Sequence, residues 1–272
     1  MALTLVPTPI GNLGDMTPRA IDVLREADLV LCEDTRHSGP VLAKWGVTAQ
    51  KRSYQKFNER ARVDEILALL KEGKKIALIS DAGTPGVSDP GSILVEAAVE
   101  AGFEVDCLPG ATAFVPALVL STFPTHPALF LGFVPDSSGN RQKWIAPWAD
   151  QYATLIAYLS PHKAQKHLAH LAALLGPRRA CVARELSKVH QEVVRGTLES
   201  LAAVPDWRGE LCLVIAPPLP DACVTPDWRP LALELRAQGR SVKDVVRQME
   251  EAYGVRANDV KKLLMKGAED EK

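Results

Sequence analysis

Three short stretches of this 272-residue chain combine glycine with proline in a way that lets backbone approach a ligand and hold still. They are Pro7-Thr8-Pro9-Ile10-Gly11-Asn12-Leu13-Gly14, then Ser80-Asp81-Ala82-Gly83-Thr84-Pro85-Gly86-Val87-Ser88-Asp89-Pro90-Gly91, then Leu108-Pro109-Gly110-Ala111-Thr112-Ala113. Glycine removes the Cβ that would keep a ligand at a distance, and proline fixes φ. One such stretch is an ordinary turn. Three, each following a strand-like run, point to a crevice at the carboxyl ends of parallel strands, where α/β folds bind ligands. The second and third stretches hold no lysine or arginine, which is unusual for phosphate binding. No G-x-x-x-x-G-K-S/T and no G-x-G-x-x-G after a strand is present, which argues against P-loop and standard dinucleotide chemistry. The loops suit a ligand that carries a sulfonium and an amino group and no phosphate.

The elements that must carry these loops alternate. Residues 3–6, 29–32, 75–79 and 105–108 read as strands, the second an unbroken apolar run that suits a strand buried on both faces. Helices are expected from Thr17-Pro18 (N-cap and first helical position), over 59–71, over 90–101 and over 111–120. This alternation implies βαβ units and a mostly parallel sheet. Residues 121–127, with Pro124 and Pro127, read as a linker. The pattern resumes with strands at 129–133, 154–159, 180–183 and 211–216, a β-like stretch at 192–196, and a helix capped by Ser160-Pro161 that ends at Gly176. A second linker with five prolines spans 217–230, followed by three short helices in which Ser241 caps a face made by Val242, Val245, Val246 and Met249. The expected organisation is an α/β domain over 1–120, a second α/β domain over 128–217 and a helix-turn-helix-like module over 229–267. That module reads equally as a nucleic-acid contact or as a helical cap used in a dimer.

Composition narrows the class. No apolar run approaches the roughly 20 residues of a membrane helix, and the start of the chain lacks the pattern of a signal peptide. The five cysteines are scattered, with no C-x-x-C pair to suggest zinc or a disulfide framework. A reducing cytoplasm and no metal site are expected. The formal net charge is −1, yet residues 141–195 hold 9 basic and 3 acidic residues and residues 229–266 hold 9 and 5. Basic segments in a neutral chain suggest an anionic partner, or solvated helix faces.

Six ordered motifs then carry a resemblance. Residues 6–12, the phrase Glu33-Asp34-Thr35-Arg36-His37, the loops beginning at Ser80 and Leu108, Gly132-Phe133-Val134-Pro135, and Ala183-Arg184-Glu185-Leu186-Ser187-Lys188 resemble the ribosomal RNA small-subunit methyltransferase I family of the tetrapyrrole-methylase superfamily. Arg208-Gly209-Glu210 fits as well, and the similarity covers about residues 3–216. One departure lies at Tyr54-Gln55-Lys56-Phe57-Asn58-Glu59, which keeps the Asn-Glu pair without the histidines usual just before it.

The resemblance implies transfer of a methyl group from S-adenosyl-L-methionine to a cytidine ribose 2′-oxygen in 16S ribosomal RNA. The cofactor would lie between two α/β domains, the partner would be free RNA or the assembled small subunit, and the protein would be a homodimer. It assigns Ile10, Asp81, Ala82, Gly83, Val87, Thr112, Ala113 and Tyr158 to the cofactor. Glu33, Asp34, His37, Asp81 and Glu185 remain open as the base, with Arg36 and Lys188 beside them in the catalytic set. Glu33 and Asp34 cannot both point inward from one strand, so one of them is free to cap the next helix. Arg36, Arg141, Arg184 and Lys188 are expected at RNA phosphates or at the developing alkoxide. Two rival readings stand: a methyltransferase acting on a tetrapyrrole precursor, and a non-catalytic RNA-binding protein.

Overall fold

The computed structural model describes residues 2–219 and 228–266. Residues 220–227, which include Cys223 and much of the second linker, residues 267–272, and the side chains of His37 and Lys266 lie outside that description. The chain divides into two compact units, one running to Pro217 and one from Pro218 onward.

The first unit begins with β1 (Leu3–Leu5), α1 (Pro18–Glu26), β2 (Leu29–Cys32), α2 (Thr35–Lys44), β3 (Gln50–Ser53), α3 (Glu59–Lys71), β4 (Ile76–Leu78), α4 (Ser92–Glu100), β5 (Val105–Cys107) and α5 (Phe114–Ser121). Their five strands pair in the order β3-β2-β4-β1-β5, all parallel. Strand β3 was not expected, because Gln-Lys-Arg-Ser has no apolar pattern; it lies at the sheet edge, where one face and one ladder stay open to water. Helix α2, which holds Gly39 and Pro40, is the helix expected after Glu33-Asp34, and Asp34 is its N-cap. Two buried clusters close the sheet: Val6, Leu24, Val30 and Ala77 in one, Leu3, Leu31, Ile66 and Leu94 in the other.

The second sheet is built from β6 (Ala128–Phe133), α6 (Ser138–Ile145), β7 (Thr154–Leu159), α7 (Ala164–Leu175), β8 (Arg179–Arg184), β9 (Glu192–Thr197), α8 (Leu198–Ala202) and β10 (Leu211–Ile215), in the order β6-β7-β10-β8-β9. Only β6 and β7 are parallel; the other three pairings are antiparallel. The parallel expectation therefore holds for the first sheet alone. Strands β8 and β9 are adjacent in sequence and need only a hairpin connection, which permits antiparallel pairing. The segment 121–127 is packed rather than free: Ser121 and Phe123 are buried and Thr154 Oγ1 donates to Pro124 O at 2.6 Å. Helix α5 lies on the second sheet, with Ala117 in one apolar cluster with Ile156, Cys181, Ala183 and Val214.

The second unit consists of α9 (Trp228–Ala237), α10 (Val242–Tyr253) and α11 (Ala257–Lys266) around its own core of Ala232, Val245, Met249 and Val260. Ser241 caps α10 by accepting from Asp244 N, and Gly254 ends it with φ +63°. Among the described residues no helix is long and apolar enough to cross a membrane.

Candidate active site

The three glycine–proline loops do meet. Thr8 and Gly83 exchange two backbone hydrogen bonds of 2.9 Å, Thr8 Oγ1 donates to Ser80 O at 2.9 Å, and Thr84 Oγ1 donates to Ala111 O at 3.0 Å. Gly110 lies so near Pro7 that a Cβ there would sit 2.6 Å from the proline Cβ. Gly83 has φ +87°, a conformation that costs an L-side chain roughly 1–2 kcal/mol. Residues 111–113 stay outside α5, which starts at Phe114 rather than at Ala111.

The knit loops form one side of a cavity of about 460 Å³ within the first unit, in the range of small-molecule sites. All eight residues assigned to the cofactor line it: Ile10, Asp81, Ala82 and Gly83, together with Val87, Thr112, Ala113 and Tyr158. Glu33 lines it too. Its Oε1 accepts from Asp81 N at 3.1 Å, and burial, with Asp81 nearby, holds its carboxyl above the ordinary range despite that hydrogen bond. Asp34 points elsewhere: its Oδ1 accepts from Arg36 N at 2.8 Å and caps α2. Arg36 chelates the same carboxylate at 2.9 Å and 3.2 Å, with its side chain 90% exposed and outside the cavity.

The Glu185–Lys188 turn sits beside the cavity without its charges entering. Glu185 and Ser187 are left-handed, with φ +50° and +69°. Glu185 Oε1 accepts from Glu210 N at 2.8 Å and from Lys188 Nζ at 2.9 Å, and these bonds hold its carboxyl below the usual range. Such a carboxylate is a poor proton acceptor. Burial opposes the Lys188 charge, but Glu185 and Glu210 outweigh it. Gly209, at φ +73°, is required here, because a Cβ would run into the Glu185 carboxyl. Arg184 pairs with Glu192 at 2.8 Å.

Arg141 corrects an expectation. It is fully buried in α6, and its guanidinium donates to Pro135 O and Asp136 O at 3.3–3.5 Å. It cannot reach an RNA phosphate; it ties α6 to the turn after β6.

The cavity also holds residues that sequence reading did not single out. Asp89 is the most telling. Burial first, then the Glu33 carboxylate, and finally Asp81 push its carboxyl up to about 7, against a Ser80 hydrogen bond that works the other way. Ser88, just before it, is left-handed at φ +69° without being glycine, and strain of this kind gathers at functional sites. An aspartate between serine and proline reads as a turn residue; burial and the approach of Glu33, 56 positions earlier, give it another character. Phe133 and Tyr158 form the aromatic part of the far wall, with ring centroids 5.3 Å apart, and burial lifts the Tyr158 hydroxyl to about 12. Among the described residues no lysine or arginine lines the cavity. A wall with four carboxyls, those of Glu33, Asp81, Asp89 and Glu210, and no cation suits a cationic ligand without phosphate.

The family model of the tetrapyrrole (corrin/porphyrin) methylases matches residues 2–202. A protein of Synechocystis named ribosomal RNA small subunit methyltransferase I is 43% identical over 92% of this chain and 92% of its own. A Thermotoga maritima protein of the same name is 42% identical over 71% of this chain and 87% of its own. Among solved structures, the methyltransferase CobJ aligns with a TM-score of 0.61 over 80% of this chain and 94% of its own, at 22% identity. Uroporphyrin-III-C-methyltransferase from Thermus thermophilus aligns at 0.55 over 79% and 94%, at 21% identity. These two share the fold. The chain belongs to the tetrapyrrole methylase family and, within it, to the group of proteins named ribosomal RNA small subunit methyltransferase I.

Proposed function

We propose that this chain methylates the 2′-oxygen of a cytidine ribose in 16S ribosomal RNA, with S-adenosyl-L-methionine as methyl donor, as a cytoplasmic homodimer. The observation that carries the reading is the cavity whose stiff, cation-free loops meet four carboxyls, in a chain similar over most of its length to proteins with that name.

When bound, S-adenosyl-L-methionine supplies a methyl carbon already activated by positive sulfur. The residues then have three tasks. The backbone of 81–83 and 112–113 fixes position, which is worth several kcal/mol when the reacting atoms must align. Phe133, Tyr158 and Leu159 keep water out of the cavity wall. A ribose hydroxyl is a weak nucleophile, so a base must take its proton. Asp89 suits that task better than Glu185 or Asp34, because its carboxyl titrates near neutral pH and it faces the cavity. Glu33 and Asp81 add negative charge beside it. Arg184 and Lys188 lie on the adjacent turn, where RNA phosphates would pass.

The test is mass mapping of ribose methylation in ribosomal RNA from cells with and without the gene. One ribose methyl group that disappears from the small-subunit RNA supports the proposal. An unchanged RNA map, together with a changed tetrapyrrole profile, would replace it with the small-molecule reading.

A further inference from the structure

Phe57 is 98% exposed, on the turn between β3 and α3. A phenylalanine ring left in water forgoes its hydrophobic stabilisation. The mount here is rigid. Gln55 N donates to Asn58 Oδ1 at 2.8 Å, and Asn58 N and Glu59 N both donate to Gln55 O at 2.9 Å. Tyr54, three residues before Phe57, is fully buried.

Both flanks of the turn are tied to the loops of the cavity. On one side, Gln55 Nε2 donates to the backbone oxygen of Glu33 at 2.7 Å, and Ser53 Oγ donates to the same oxygen at 3.2 Å. On the other, the buried Glu59 carboxylate accepts from Gly91 N at 2.7 Å, two residues beyond Asp89. The ring is therefore held at a fixed offset from two residues that line the cavity. Its neighbours Lys56 and Arg60 are exposed and make no ion pair with a described residue. Among the described large apolar side chains only Val189 is comparably exposed, and it too lies on a loop next to the cavity, three residues after Leu186.

We infer that Phe57 is a stacking platform for an unpaired base of the RNA substrate, next to the nucleotide whose ribose enters the cavity, with Lys56 and Arg60 receiving the flanking phosphates. An exposed ring between two free cations is the chemistry that recognises single-stranded RNA: a π-face for a base and positive charge for the backbone. A second copy of the chain fits the same feature less well. A stable dimer buries roughly 800 Å² on each partner, whereas this is a single ring, and a two-fold contact centred on it would set Lys56 and Arg60 of each copy against their own counterparts. The inference rests on the RNA reading of the cavity.

The test compares wild type with Phe57→Ala, Phe57→Leu and Phe57→Trp. The probe is unmethylated small ribosomal subunits across a salt series, with S-adenosyl-L-methionine affinity and sedimentation measured in parallel. Phe57 touches no core, so all four proteins should fold. Phe57→Ala and Phe57→Leu should weaken subunit binding roughly ten-fold at every salt concentration, with the salt slope unchanged, because the lost contact is not ionic. Phe57→Trp should retain or exceed wild-type affinity. Lys56→Ala and Arg60→Ala should each lower the slope by roughly one. Cofactor affinity should stay constant throughout. Equal affinity of wild type and Phe57→Ala would overturn the inference while leaving the proposed function standing. So would Phe57→Leu binding as well as wild type, or a change of sedimentation as the sole effect of Phe57→Ala. Absence of subunit binding by the wild type would overturn both.

Discussion

The two sheets of the first unit meet the same cavity with different material. The parallel sheet contributes loops: Glu33 after β2, residues 81–89 after β4, and Thr112 and Ala113 after β5. These carry carboxyls and backbone groups on turns fixed by left-handed residues and by hydrogen bonds between loops. The mostly antiparallel sheet contributes a wall: Phe133, Tyr158, Leu159, Ala183, Leu211 and Cys212. One side presents most of the polar groups; the other is mainly apolar, with Ser160 and Glu210 as its polar members. The combination explains Asp89. Its carboxyl belongs to a loop of the parallel sheet, but burial is the largest cause of its rise to about 7. Glu33 and Asp81, from loops of the same sheet, add to that rise.

That division can be broken from the polar side first. Asp89→Asn should slow methyl transfer by roughly 100-fold or more, the scale of a lost general base, with cofactor affinity changed little by comparison. The pH profile adds the sign. Below about 7 the Asp89 carboxyl keeps its own proton and cannot accept another, so the wild-type rate should fall roughly ten-fold per pH unit as pH drops and level off above neutrality. In the asparagine variant that limb should vanish. A wild-type rate independent of pH between 5 and 8 (roughly the range that brackets the shifted carboxyl) would remove Asp89 from this role.

A smaller effect tests the frame of the loops. Gly83→Val places a branched side chain at φ +87°, about 3.6 Å from the Ile10 methyl. Cofactor affinity should fall about ten-fold or more, with the melting temperature lowered by only a few degrees, since the strain is roughly 1–2 kcal/mol. Calorimetry and thermal melting distinguish this from unfolding.

Arg141→Ala tests the opposite side. Two backbone oxygens in the turn after β6 would lose a charged donor, so stability should fall by roughly 2 kcal/mol, read by denaturant titration. RNA affinity should be unchanged once the protein is folded. A loss of RNA affinity without a loss of stability would reverse the assignment of Arg141 to the interior. Smallest of all is Lys188→Ala. Its ammonium is already shared by Glu185 and Glu210, so at most about one unit of the RNA salt slope should disappear.

Much of this was legible in the sequence, for identifiable reasons. The three loops were readable because glycine and proline mark backbone directly, and all three meet at the cavity. The strands of the first sheet were readable where both faces are buried, as in Leu29-Val30-Leu31-Cys32. Strand β3 was not, because an edge strand need not be apolar. The direction of the second sheet was not, because an apolar run does not reveal which way its neighbour travels. Arg141 read as surface charge because arginines are seldom fully buried; its capture by Pro135 O and Asp136 O, six and five residues back, is local but leaves no mark in a charge count. Asp89 failed because its character comes from burial and from Glu33, 56 positions earlier in the chain.

On this proposal the stiff, carboxyl-bearing cavity of the first unit holds the methyl donor without help from RNA. Titration calorimetry of the purified chain with S-adenosyl-L-methionine, with no nucleic acid present, tests it most directly. One binding event per chain at micromolar affinity is expected, weakened about ten-fold or more in Gly83→Val and retained in Phe57→Ala. No heat with S-adenosyl-L-methionine or with S-adenosyl-L-homocysteine, at micromolar protein, would contradict it.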